Sequence, residues 1–225
     1  MTPDQIGRLT YEHINCAVVV AHPDDETLWA GGTMLMHPDS RWTVVTVTRK
    51  SDPDRAPRFH KAIERFNARG VMGDLDDGPE QKPLGTIKVQ DAIMDLLPSD
   101  RLDLILTHGP WGEYTSHKRH EEVSKAVMAL RESGRLRAGE IWMFAYDDKG
   151  GKRLPQPLAD ADMYMRLPQD IWKEKYRIIT EVYGFAPDSF EARTTPKDEA
   201  FWVLGKKVPV HGMPRKNLFE AAILE

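Results

Sequence analysis

The sequence predicts an α/β fold, a single three-layer domain of helices around a mostly parallel sheet. Three observations lead there. The runs CAVVVA (16–21), TVVTVT (43–48) and LDLILTH (102–108) are almost continuously apolar. Strands buried on both faces of a parallel sheet have that pattern, whereas half-exposed strands alternate. Segments with helical spacing separate these runs, and strand and helix alternate through the first 146 residues. Such alternation is the signature of an open, Rossmann-like sheet.

The elements follow in order. After the first strand, residues 26–36 run from acids into Leu28, Trp29, Leu35 and Met36. Residues 55–69 place Phe59, Ala62, Ile63 and Phe66 on one helical face, and 88–97 do the same with Val89, Ile93, Leu96 and Leu97. Residues 118–131 align Val123, Val127 and Leu130. EIWMFAY (140–146) and AFWVLG (200–205) complete the strand set. The stretch 147–170 is polar and broken by Gly and Pro, and reads as a long loop covering a site. Residues 206–225 end in a short helix, NLFEAAILE. At 225 residues the chain fits one domain spanning 1–225.

Composition narrows the function. With 31 basic and 35 acidic residues the formal net charge is −4, which gives no electrostatic case for nucleic acid or an anionic membrane. No apolar run approaches the roughly 18 residues of a membrane span, and no basic-then-apolar leader opens the chain. The one cysteine, Cys16, excludes an internal disulfide. The expectation is a cytoplasmic protein.

The chemistry concentrates in two places. The first strand ends abruptly in HPDDE (22–26), a proline and three adjacent acids that repel one another. N-capping explains one aspartate but not a histidine with three acids. The second cluster, THGPWGEYTSHKRHEE (107–122), also follows a buried run and leads into a helix, with His117 and His120 three apart on one face. Ligands of open α/β sheets bind at the carboxyl ends of strands. Both clusters therefore project to one edge, where His22 and Asp25 from one strand end and His120 from another offer a divalent cation two imidazoles and a carboxylate. A cation there would offset the carboxylate repulsion.

These residues resemble the LmbE-like or PIG-L family of zinc-dependent N-deacetylases. AHPDDE (21–26), GG (31–32), HGPWGEYTSH (108–117) and GDLDDG (73–78) carry the resemblance, which covers roughly residues 14–146; 147–225 stay unassigned. It implies His22, Asp25 and His120 as zinc ligands, with iron or cobalt able to occupy the same set. It implies Asp24 as general base, and His117 as the group that stabilises the carbonyl oxygen or protonates the leaving amine. Tyr114 would polarise that oxygen, Asp77 would touch sugar hydroxyls, and Arg58 would bind substrate. The family places an acid or amide before its last histidine, where this chain has Arg119. Trp111 reads as a sugar-stacking platform or as packing beneath its loop. His108 reads as support for the site or as structural, and Glu26 as a residue that orients His22 or caps the helix. Lys118, Arg119, Lys149, Lys152 and Arg153 read as a solvated surface.

The expected function is removal of acetyl from an N-acetylated amino sugar or glycoconjugate by metal-activated water. The alternatives are an amidase for larger N-acyl or thiol conjugates, and a catalytically inactive sugar- or nucleotide-binding domain. The first strand lacks the G-x-G-x-x-G of dinucleotide sites.

Overall fold

The computed structural model describes residues 14–114 and 117–204. Its elements are β1 (Asn15–Val20), α1 (Asp25–Met36), β2 (Arg41–Thr48), α2 (Arg55–Arg65), β3 (Arg69–Leu75), α3 (Thr86–Leu96), β4 (Arg101–Thr107), α4 (Lys118–Glu132) and β5 (Arg137–Phe144). There follow β6 (Tyr146–Asp147), β7 (Gln156–Pro157), β8 (Met163–Arg166), α5 (Gln169–Arg177), a π-helical turn (Ile178–Val182), α6 (Phe190–Thr194) and β9 (Asp198–Leu204). Seven strands form one sheet in the order β3-β2-β1-β4-β5-β9-β8, and β6 and β7 pair separately. The first five are parallel; β9 and β8 join antiparallel.

Side chains alternate along β1, so it feeds both outer layers. Cys16, Val18 and Val20 pack with Trp29 of α1, Phe59 and Ile63 of α2, and Tyr183. Ala17, Val19 and Ala21 pack with Val89 and Ile93 of α3 and Val123 and Val127 of α4. Three layers result, as the continuous apolar runs predict.

The order places the site. Chain direction across the sheet reverses at β1, because β2 and β3 extend to one side and β4 and β5 to the other. The carboxyl ends of β1 and β4 are therefore neighbours, with Val19 paired to Thr107. Both sequence clusters leave the sheet at this switch point.

Three expectations are corrected. The helix predicted over 55–69 ends at Arg65; Asn67 turns the chain with φ 52° and residues 69–75 enter the sheet as edge strand β3. Residues 147–170 are not one loop, since they contain a short strand pair and β8, which extends the main sheet beside β9. Arg119 is buried rather than solvated. The helix expected at NLFEAAILE lies outside the described residues. Among the described residues no helix is long and apolar enough to cross a membrane.

Gly32 shows how tightly α1 is seated. A Cβ there would lie 2.4 Å from Leu167 Cδ2 and 2.9 Å from Glu199 Oε1, so this helix face admits no side chain.

Candidate metal centre

The turn after β1 is built to separate two adjacent carboxylates. Asp25 Oδ2 accepts the His22 N–H at 2.8 Å, and Asp25 Oδ1 accepts the Trp29 indole N–H at 3.2 Å. Asp24 has φ 117°, ψ −29°, a conformation rare for a residue with a side chain. Glu26 holds it there: Oε2 accepts the Asp24 N–H at 3.0 Å, while Oε1 accepts the hydroxyls of Thr27 and Tyr183, each at 2.6 Å. Glu26 thus positions Asp24 and the helix start, and makes no bond to His22. Asp25 points at the histidines, and Asp24 points at Arg55 of α2, 3.3 Å away.

Three donor atoms converge. His22 Nδ1 and Asp25 Oδ2 are 3.1 Å apart; His120 Nε2 lies 3.3 Å from each. Ligands at about 2.0–2.1 Å from a tetrahedral ion are about 3.3–3.4 Å from one another. The spacing fits. Both nitrogens of each ring face a carboxylate. His22 turns its outer nitrogen, Nε2, to Asp77 Oδ1 at 3.2 Å, and His120 turns its outer Nδ1 to Glu113 Oε2 at 2.6 Å. Burial opposes protonation of His120, but Asp25 and Glu113 raise its pKa to about 10, so without an ion its ring carries both protons. The carboxylates behind the outer nitrogens hold those protons, and the inner proton is the one a cation would displace.

Two groups that overlap this set also lie close enough to hold an ion: His22, His117 and His120, and Asp25, His108 and His120. His108 is a poor ligand, because its Nε2 accepts the Ala21 N–H at 2.9 Å and its Nδ1 faces Glu113 Oε2 at 2.9 Å. His117 stacks on His120 with ring centroids 4.2 Å apart, and its buried Nδ1 has no hydrogen-bond partner among the described residues. Its orphaned nitrogen beside the donor cluster is a further mark of a site shaped for something polar.

Electrostatics divides the acids. Burial and then the neighbouring Asp25 push the Asp24 carboxyl well above the usual range, with Arg55 opposing. Burial acts on Asp25 too, but the charge and hydrogen bonds of His120 and the bond from His22 outweigh it and hold Asp25 well below that range. One carboxylate is poised to take a proton and its neighbour to stay ionised. Burial, then His120 and His22, push His117 down to about 3, so its imidazole is neutral near pH 7. Burial, then Asp25 and Asp24, raise the Tyr114 phenol, which stays protonated.

The remaining expected residues fall differently. Tyr114 lies over the cluster, 5.4 Å ring to ring from both His117 and His120, and 5.1 Å from Phe190. Asp77 is engaged inside the site: His22 and Gln81 share Oδ1, and Arg49 binds Oδ2 at 2.6 and 2.8 Å. Arg58 is paired with Asp54 and with the Tyr183 carbonyl. Arg55, one turn earlier, is the arginine that reaches Asp24, its guanidinium 4.5 Å over the Phe185 ring. Trp111 is 54% exposed rather than packed beneath its loop. Arg119 binds the carbonyls of Asp76 and Lys82 and the Glu122 carboxylate, pinning the Asp77 loop to α4. The acid absent before His120 is thus matched by Glu113 from the loop. Sequence reasoning missed Glu113, Arg55 and Tyr183. A glutamate inside an otherwise uncharged HGPWGEY was the one signal.

A curated relative, "Uncharacterized protein L374" of Acanthamoeba polyphaga mimivirus, is 20% identical over 146 residues, 58% of this chain and 61% of the relative. The chain thus aligns with less than two thirds of that relative's length. The solved structure of GalB, the 4-carboxy-2-hydroxymuconate hydratase of Pseudomonas putida KT2440, superposes with a TM-score of 0.54 at 14% identity, covering 89% of this chain and 100% of that one. This likeness is one of fold. The PIG-L family, described as GlcNAc-PI de-N-acetylase, matches residues 17–131. That match takes in just over half of the chain and both clusters at the switch point, and the chain belongs to the PIG-L family.

Proposed function

We propose that the chain is a zinc-dependent hydrolase that removes acetate from the nitrogen of an amino sugar or its glycoconjugate. The carrying observation is the convergence of His22 Nδ1, Asp25 Oδ2 and His120 Nε2, with Asp24 on the adjoining turn. Two imidazoles and one carboxylate suit zinc and leave a position open. A divalent ion held by these residues would supply a water acidic enough to ionise near pH 7.

The chain supplies the rest. Asp24, with its raised affinity for a proton, is the general base. Neutral His117 and protonated Tyr114 flank the centre and donate hydrogen bonds to the carbonyl oxygen as it gains charge. Asp24, once protonated, returns its proton to the departing amine. Asp77 and Glu113 hold the two ligand histidines. A cytoplasmic location is part of this proposal, in keeping with the lone cysteine.

A larger N-acyl or thiol conjugate is the second reading, favoured by Phe190. It is 38% exposed and sits against Tyr114, so it offers apolar surface beside the centre beyond what acetate fills.

Amine release from N-acetylglucosamine, its glycosides and larger N-acyl conjugates, with zinc supplied, tests both. The expected result is amine release that falls about 10²- to 10⁴-fold in Asp24→Asn. Preference for bulky acyl groups selects the second reading. Zinc-loaded protein that releases no amine from any of them, or that hydrates an unsaturated acid instead, overturns the hydrolase.

A further inference from the structure

We propose that Glu113, acting with His108, is the positioning element that brings the two halves of the metal centre together and sets the tautomer of His120. The inference rests on the ligand set just described.

Glu113 is wholly buried, and both its oxygens are engaged. Oε1 accepts the Gly109 N–H at 2.9 Å. Oε2 faces two imidazole nitrogens, His108 Nδ1 at 2.9 Å and His120 Nδ1 at 2.6 Å. The two rings are stacked, with centroids 3.9 Å apart and planes inclined by 20°. One path from the carboxylate therefore goes straight to the β4 side of the centre, through His120. The other crosses to the β1 side, because His108 Nε2 accepts the N–H of Ala21, the residue immediately before His22. His22 and His120 are 98 positions apart in the chain, and this bracket spans the gap between their loops.

Hydrogen-bond polarity forces the tautomers. The Ala21 amide can only donate, so His108 Nε2 must accept and Nδ1 must carry the proton. That proton goes to Glu113. A carboxylate has only acceptors, so His120 Nδ1 must donate as well. Nδ1 is thus the nitrogen that keeps its proton, and Nε2, which faces Asp25 and His22 at 3.3 Å, is the one a cation would deprotonate and bind. A glutamine in place of Glu113 presents an NH₂ as well as a carbonyl. Its single carbonyl oxygen cannot serve Gly109, His108 and His120 together. With the NH₂ towards the rings, His120 accepts at Nδ1, carries its proton on Nε2, and closes that nitrogen to a cation.

The test is zinc affinity by competition with a chromogenic chelator, alongside urea unfolding of the same metal-free samples. Folded Glu113→Gln is expected to bind zinc about 10- to 100-fold more weakly than wild type, the range for loss of a partner behind a metal-bound histidine. Glu113→Asp, which keeps the acceptor-only chemistry, is expected to recover part of the loss. His108→Phe retains a ring against His120 but neither accepts from Ala21 nor donates to Glu113; a similar loss is expected. The double variant is expected to be no weaker than the worse single one, since the two act as a unit. In zinc-loaded wild type a slowly exchanging His120 Nδ1–H resonance is expected, and it vanishes in Glu113→Gln. Less than tenfold weakening in folded Glu113→Gln overturns the proposal. If that variant does not fold, unchanged affinity in His108→Phe overturns it. Wild type that binds no zinc overturns the ligand set itself, and that failure is distinct from the other two.

Discussion

Glu199 in β9 is the point at which the last third of the chain grips the helix that carries the site. It is wholly buried, as is its partner Lys175 of α5. Its Oε1 accepts from Lys175 Nζ and from the Gly32 N–H, each at 2.7 Å. Its Oε2 accepts from the Thr33 N–H at 2.8 Å and the Thr33 hydroxyl at 2.6 Å. Burial drives the Lys175 pKa down, and Glu199 opposes that shift. Glu199→Ala removes the only counter-charge in these four bonds. An ammonium left uncompensated in the core costs about 3–5 kcal/mol. Unpaired buried donors add on the order of 1–3 kcal/mol. A total stability of about 5–15 kcal/mol leaves little after such a loss. Lys175→Met with Glu199→Gln takes out both charges and keeps one acceptor for α1 while turning an NH₂ towards another donor, so it should recover part of the deficit. The assay is the urea midpoint, with the slope checked for constancy. A Glu199→Ala protein within about 1 kcal/mol of wild type, or a double variant no better than Glu199→Ala, refutes the reasoning, for then water reaches Lys175 and the pair is not dry.

Two further outcomes follow from groups that titrate away from their ordinary values. Burial, reinforced by Asp103, pushes the Cys16 thiol up to about 12, so iodoacetamide at pH 8 should leave native protein unmodified and label it fully in urea; rapid labelling of the native form contradicts the buried β1. At Asp77 burial favours the neutral acid, but His22, Gln81 and Arg49 outweigh it and depress the folded-state pKa. Its stabilisation is thus complete above the ordinary aspartate pKa of about 3.9 and is lost as pH falls through and below it. Urea midpoints of metal-free protein from about pH 5 downwards should therefore drop less steeply in Asp77→Asn than in wild type, and parallel curves contradict the His22–Asp77 contact.

The parallel core was legible because burial on both faces leaves a continuous apolar run, and β1, β2 and β4 are such strands. β3 was not. Arg69–Leu75 contains two glycines, lies at the sheet edge against β2 alone, and is only partly buried, so its sequence carries a weak strand signal. β8 is four residues at the opposite edge, with alternating burial too short to stand out. Of the site, the HPDDE turn and the histidine pair were legible, since adjacent carboxylates at the end of a buried strand repel one another unless a cation offsets them. Their supports were not. Glu113 matters only because its loop folds back on both imidazoles, and Tyr183 meets Glu26 across 157 positions. Arg55 and Arg58 sit one turn apart on α2, and only the fold decides which faces Asp24.

The most direct test is anomalous diffraction at the zinc edge from zinc-loaded crystals. A single strong peak is predicted about 2.0–2.2 Å from His22 Nδ1, Asp25 Oδ2 and His120 Nε2, and absent from His120→Ala. A zinc peak ligated by His108, or one that persists in full without His120, contradicts the account.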